Sequence, residues 1–104
     1  MRHCDSKLHV SGRSKYVDDL PAPNGMLHGA IFGSPVAHGK LLGVDFKAAK
    51  DIDGVVGVVT SDTVPGSKLI GALRADEPLF AIDEVLFQGH PIAMVVATSP
   101  EIAE

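Results

Sequence analysis

With 104 residues the chain is long enough for one domain with a genuine core, and its 45% hydrophobic content excludes disorder. A formal charge of −4, with acids and bases mixed along the chain, provides no basic face, so nucleic acid is not an expected partner. No apolar run reaches the length of a bilayer span, the first five residues have no signal-peptide character, and the single Cys4 cannot form an internal disulfide. We therefore expect a cytoplasmic protein with no membrane partner.

Aromatics are only 5% and tryptophan is absent, so the core must come from Val, Ile, Leu and Ala. Residues 1–25 are polar and turn-rich and end at Asn24-Gly25, a pair that makes a tight turn at low cost. The run from Met26 to Phe32 is apolar on both faces and predicts a largely buried strand, broken at Gly33-Ser34-Pro35. Leu42, Val44 and Phe46 alternate with Gly43, Asp45 and Lys47, the clearest period-two strand in the chain. Ala48 to Asp51 reads as one helical turn, and Val55–Thr60 as an interior strand. Ser61 and Asp62 are placed to cap a further short helical turn before Pro65-Gly66.

Residues 66–82 have no clear period, and irregular stretches of that length are often functional. Val85 and Phe87 predict the start of a strand that turns at Gly89-His90-Pro91, and Ile92–Ala97 is a second buried strand. Ser99-Pro100-Glu101 is a helix start: a hydroxyl cap, proline at the first position, and an acid facing the dipole. An isolated helix needs roughly 12–15 residues, so the expected fold is cut short at this C-terminal helix. The apolar sheet face that such a helix would cover is expected to drive self-association as a homodimer.

The residues that could carry chemistry do not assemble into a site. His3, His9, His28, His38 and His90 show no zinc-ligand spacing, so we read them as structural or solvated. Met1-Arg2-His3 could wrap Cu(II) or Ni(II) through a free amino terminus, but the simpler reading is an ordinary chain end. The acid pairs Asp18-Asp19, Asp76-Glu77 and Asp83-Glu84 lack a partner nucleophile and read as solvated. Cys4 has nothing in its surroundings to activate it. Gly25, Gly29 and Gly33 match no phosphate-cradling pattern. Neither catalytic, cofactor-binding nor metal-binding residues are assigned from the sequence.

Several segments in order nevertheless resemble one family. The run from His9 to Asp19, His-Val-Ser-Gly-Arg-Ser-Lys-Tyr-Val-Asp-Asp, is similar to the "H-V-[ST]-G-x-A-x-Y-x-D-D" opening of the molybdenum subunit of xanthine dehydrogenases and aldehyde oxidases. Ser34 to Leu41 resembles that family's "S-P-x-A-H-[AG]-[RK]-I". Asp53-Gly54-Val55-Val56, Asp62 to Gly66, Asp76 to Ala81 and Gly89 to Ile92 follow in the family's order. Ser14 departs from the usual Ala, a small-for-small change. Asp5-Ser6-x-x-His9 resembles the bacterial form in which this subunit is a separate polypeptide.

The resemblance implies an α+β hammerhead-type domain, with a mixed or antiparallel sheet and short helices, over residues 26–104, preceded by an extended lead-in over 1–25. It implies a parent oxidoreductase of xanthine dehydrogenase type that hydroxylates purines such as hypoxanthine or xanthine. In the family, later domains carry molybdopterin and a glutamate base that activates a molybdenum-bound hydroxyl. Electrons leave through iron–sulfur clusters to FAD on a partner subunit or domain. Expected partners are thus the remaining domains of the molybdenum subunit and the iron–sulfur/FAD subunit. The segment itself is expected to hold no cofactor and to be inactive alone, supplying scaffold and part of the substrate-channel wall. Leu73 and Arg74 are the channel candidates. The alternatives are a relative that oxidises aldehydes or carbon monoxide, and a free-standing non-catalytic interaction module.

Overall fold

In the computed structural model, which describes residues 5–104, the fold is organised around one central strand. The helices are α1 (Ser6–Val10), α2 (Lys47–Lys50) and α3 (Pro100–Ala103), with a 3-10 turn at Val17–Asp19. The strands are β1 (His28–Gly33), β2 (Gly39–Lys40), β3 (Val55–Thr60), β4 (Leu69–Ile70), β5 (Glu77–Pro78), β6 (Glu84–Val85) and β7 (Pro91–Ala97).

β7 lies between β1 and β3, antiparallel to both. Its sequence, Pro-Ile-Ala-Met-Val-Val-Ala, has the β-branched, two-faced apolar character of a strand with neighbours on both sides. Ala93 and Ala97, on one face of the strand, are fully buried, and their small size lets chain segments approach closely there. The register shifts twice: between Phe32 and Gly33 of β1 the extra residue is Ile92 of β7, and between Val55 and Gly57 it is Val56 of β3. Two small ladders complete the strand set, β2 with β6 and β4 with β5. Ala81, Val85 and Ile92 form the core cluster, with Leu41 packed against it.

Three expectations from the sequence change here. Met26–Phe32 is not a buried strand: β1 is an outer strand, and Ile31 is 56% exposed. β3 is likewise an outer strand rather than an interior one, because β7 takes the central place. Leu42–Lys47 forms no strand up to Phe46, and Leu42 is 95% exposed. Alternation alone does not make a strand when no neighbouring edge is in reach to pair its backbone groups.

Other expectations hold with local detail. Pro23–Met26 closes a turn through the Met26 N–H to the Pro23 carbonyl at 3.1 Å, with Gly25 at φ 76°. The Ala48–Asp51 turn is α2. One exception is the short helical turn expected under a Ser61 or Asp62 cap, which does not form: a non-helical turn follows β3, and Thr63 caps it in their place. Its Oγ1 accepts from the Thr60 N–H at 2.7 Å and donates to the Thr60 carbonyl at 3.1 Å, which blunts that end of the outer strand. The Ser99 Oγ accepts from the Ile102 N–H at 3.4 Å and caps α3.

The molecule is open for its size. Its radius of gyration is 18.4 Å, against about 13 Å for a compact chain of this length. It exposes 8261 Å², against about 5,600 Å² for a globular protein of its mass. Much of the excess is apolar, contributed by side chains such as Val10, Val17, Leu42 and Leu73.

Candidate functional site

The irregular stretch 66–82 is ordered as a hairpin arm. β4 and β5 pair antiparallel with Leu69 opposite Pro78 and Ile70 opposite Glu77. The base is held by the Leu79 N–H to the Lys68 carbonyl at 2.9 Å, by the Ser67 Oγ to the Leu69 carbonyl at 2.9 Å, and by a Lys68–Asp62 ion pair at 3.0 Å. At the tip, Gly71 takes φ 148°, and a Cβ there would collide with the Arg74 carbonyl. The chain therefore reverses only because that position is glycine.

This tip carries both channel candidates. Leu73 is 100% exposed, and Arg74 beside it has no carboxylate within 4 Å among the described residues. Gly71, Ala72, Leu73, Arg74, Asp76 and Glu77 line a shallow concavity of about 360 Å³. An exposed leucine next to an unpaired guanidinium, on a braced arm, is suited to contacting something outside the domain. The ionisable groups around the concavity are Arg74, Asp76 and Glu77.

A second locus is built around His90, 2% exposed and the largest fully buried side chain among the described residues. The Leu86 N–H donates to its Nδ1 at 3.2 Å, and Phe87 stacks on its ring at a centroid distance of 4.6 Å. Its carbonyl accepts from the Ser34 N–H at 2.9 Å, while the Ser34 carbonyl accepts from the Gly89 N–H at 2.8 Å. Ser34, itself buried, folds its hydroxyl onto the Val36 carbonyl at 2.8 Å. This network ties the β1 exit to the β7 entrance. It is a brace, with the His90 ring and carbonyl at its centre.

The remaining candidates are dispersed. His38 and Glu84 lie 3.5 Å apart at the end of the β2–β6 ladder, both exposed. Asp19 accepts from the Tyr16 N–H at 2.9 Å as a turn cap. Ser99 and the local backbone hydrogen-bond the Glu101 carboxyl and hold it below the usual glutamate range, with a smaller contribution from His28. Among the described residues no group of three or more His, Cys, Asp or Glu converges on a metal-sized position. His3 and Cys4 lie outside the described residues.

A feature missed from sequence is an apolar groove of about 380 Å³ lined by Ile31, Phe32, Val44, Phe46, Val95 and Ala103. Its charged lining groups are the carboxylates Asp45 and Glu104. A phosphate-bearing pterin cofactor does not fit it, because the groove presents carboxylates where a phosphate requires donors and positive charge. The period-two run at Leu42–Phe46 was the available signal, since its apolar side faces this groove at Val44 and Phe46.

Residues 11–104 match the family described as aldehyde oxidase and xanthine dehydrogenase, a/b hammerhead domain. The chain belongs to that family. It is 41% identical over 102 residues to xanthine dehydrogenase 2 of Arabidopsis thaliana, covering 98% of this chain and 8% of that protein. It is 40% identical over 103 residues to the xanthine dehydrogenase/oxidase of Mus musculus, covering 99% of this chain and 8% of that protein. Among solved structures, the aldehyde oxidoreductase of Desulfovibrio gigas superposes with a TM-score of 0.85 at 30% identity, covering 96% of this chain and 12% of that one. The α+β hammerhead fold read from the ordered motifs is thus the fold observed, with antiparallel pairing throughout the described sheets. The hammerhead chain spans about 8% of the length of these xanthine dehydrogenases.

Proposed function

We propose that this hammerhead domain is a structural segment of a xanthine dehydrogenase-type molybdenum hydroxylase acting on purines such as hypoxanthine or xanthine. The observation that carries the reading is the identity of about 40% to xanthine dehydrogenases across nearly the whole chain. In this reading residues 1–25 are a lead-in and residues 26–104 the hammerhead proper. Molybdopterin, the iron–sulfur clusters and FAD belong to other domains or a partner subunit, and the assembly is cytoplasmic. The hammerhead supplies scaffold, and the β4–β5 arm carries Leu73 and Arg74 to the wall of the substrate channel.

The open shape supports a scaffold role. Roughly 2,700 Å² of surface beyond the globular expectation is about three times what one partner loses in a standard protein–protein interface. An excess of that size suits a segment seated against a large neighbouring structure.

The test compares the 104-residue chain with the complete polypeptide that carries it, each purified and assayed for molybdenum and for oxidation of hypoxanthine, an aldehyde and carbon monoxide. The expected result is purine turnover and bound molybdenum in the complete polypeptide and neither in the isolated chain. Stoichiometric molybdenum in the isolated chain would overturn the assignment. Turnover of the aldehyde or carbon monoxide without purine would favour the corresponding relative. A stop codon directly after Glu104 would favour the free-standing module.

A further inference from the structure

Asn24 is the one asparagine of the chain, and a glycine follows it. The pair is reactive as well as turn-forming. The side-chain carbonyl carbon of an asparagine can close a five-membered ring with the amide nitrogen of the next residue, and a glycine there has no Cβ to crowd the closure. Two other pairs set a side-chain carboxyl or carboxamide before glycine, Asp53-Gly54 and Gln88-Gly89. The fold separates the three.

Around Asn24 the turn is closed by the Met26 N–H on the Pro23 carbonyl at 3.1 Å, with Gly25 in its third position at φ 76°. The amide of that third residue is not the one that closes such a turn. Among the described residues the Gly25 N–H has no acceptor, and nothing lies within 4 Å of its Cβ direction. At Gly89 the corresponding amide is bound, since it donates to the Ser34 carbonyl at 2.8 Å. Gln88, one methylene longer, would also have to close a larger ring. At Gly54 the turn has the same form, closed by the Val55 N–H on the Ile52 carbonyl at 3.1 Å. There, however, a Cβ would lie 2.7 Å from Ile102 Cδ1 and 2.9 Å from Thr98 Oγ1, and the Gly54 carbonyl accepts from the Thr98 N–H at 2.9 Å. Gly54 is pinned, and a carboxylate is a poorer electrophile than a carboxamide. Only the Asn24 pair combines a free amide, open space and a reactive carbonyl.

We propose that Asn24-Gly25 is a self-modifying site, at which the folded protein converts asparagine to aspartate and isoaspartate with water as co-reactant. The Gly25 amide nitrogen gives its proton to hydroxide and bonds to Asn24 Cγ. The Cγ–Nδ2 bond breaks, and the amide nitrogen leaves as ammonia after taking a proton from water. Water then opens the cyclic imide. Breaking the bond from the Gly25 nitrogen to Asn24 Cγ gives aspartate on an ordinary backbone. Breaking the bond from that nitrogen to the Asn24 main-chain carbonyl carbon gives isoaspartate, whose backbone runs through Cβ and Cγ. One water is consumed and one ammonia released, with no oxidation or reduction. Either product adds a carboxylate, and isoaspartate adds one backbone carbon inside the turn closed by Met26 and Pro23. This turn lies just ahead of β1, which begins at His28. Conversion therefore redirects the lead-in where it joins the sheet.

The site goes beyond the scaffold reading and does not depend on it, since its readouts are mass and methyl acceptance. The complete polypeptide that carries this segment is aged in its native state at mildly alkaline pH, so that whatever packs on the segment is in place. A urea-unfolded sample is aged beside it. Trypsin releases residues 16–40, which contain Asn24, and residues 51–68, which contain Asp53. Mass spectrometry reads the amide-to-acid change, and an isoaspartyl methyltransferase with S-adenosylmethionine labels isoaspartate. The native sample is expected to gain acid and label in peptide 16–40 at a rate comparable to that of the unfolded sample. Peptide 51–68 is expected to take label only after unfolding. Asn24→Gln should abolish the label in peptide 16–40. A native sample in which this peptide stays unchanged while the unfolded one converts overturns the proposal. Label that survives Asn24→Gln, or that gathers first in peptide 51–68 of the native sample, overturns it as well.

Discussion

The Leu86 N–H donates to the Nδ1 of His90 at 3.2 Å inside a turn whose other members are Phe87, Gln88 and Gly89. A histidine that accepts at Nδ1 carries its proton on Nε2 if it is neutral. The ring therefore stands in for a backbone acceptor, and the turn needs it to satisfy the Leu86 amide. His90→Ala is expected to lower stability by about 2–4 kcal/mol, through a cavity and an unsatisfied amide. His90→Phe, which keeps the bulk and the stack on Phe87, should cost about 1–3 kcal/mol for the lost acceptor alone. Urea denaturation of the two variants separates these contributions, and an unchanged stability in His90→Phe would count against the hydrogen bond.

Gly33 lies directly against this brace. A Cβ at position 33 would sit 3.0 Å from the Gly89 carbonyl oxygen and 3.2 Å from its Cα, both rigid backbone atoms. Gly33→Ala is expected to destabilise by about 1–3 kcal/mol, as overpacking does elsewhere. Gly57→Ala serves as the control, because nothing lies within 4 Å of its Cβ direction. Thermal melts of the two variants should differ clearly.

The α3 cap is sensitive to pH through one carboxyl. Ser99 and the local backbone hydrogen-bond the Glu101 carboxyl and hold it below its ordinary range. A carboxyl depressed in the folded state contributes stability that is fully present above the unfolded value and is lost as pH falls through the folded one. The exchange protection of Ile102 and Ala103, taken relative to the intrinsic rate at each pH, should therefore fall on acidification through the glutamate range. Glu101→Gln should flatten that dependence, and an unchanged profile in this variant would assign it to another group.

Ser99→Ala removes the side-chain acceptor for the Ile102 N–H. The expected loss is about 1 kcal/mol, the usual cost of an N-cap hydroxyl. It should appear as reduced exchange protection in α3, with the β1–β7–β3 sheet largely unaffected.

The hairpin arm makes a prediction of opposite kind. Leu73 is 100% exposed, so Leu73→Ala should change the stability of the isolated chain by less than about 0.5 kcal/mol. In the complete polypeptide, if the arm borders the substrate channel as proposed, Leu73→Ala and Arg74→Ala should change KM for the purine more than kcat. A variant enzyme with both constants unaltered would remove these residues from the channel.

Sequence patterning determined those features that depend on neighbours along the chain. β7 was legible because a strand buried on both faces must be continuously apolar, and Ile92–Ala97 is. The caps at Ser99 and the turns at Gly25 and Gly89 were legible because they rest on local backbone geometry and side-chain reach. The family resemblance was legible as an ordered series of such local signals. Tertiary structure decided what depends on distant partners. Leu42–Phe46 has a strand's alternation but no edge to pair with, and β1 is apolar yet lies at the outside because only one neighbour, β7, reaches it. His90 became a brace only once the chain's path set Ser34, Leu86 and Phe87 around it. Burial and pairing are properties of the assembled sheet, and no local pattern encodes which face will remain uncovered.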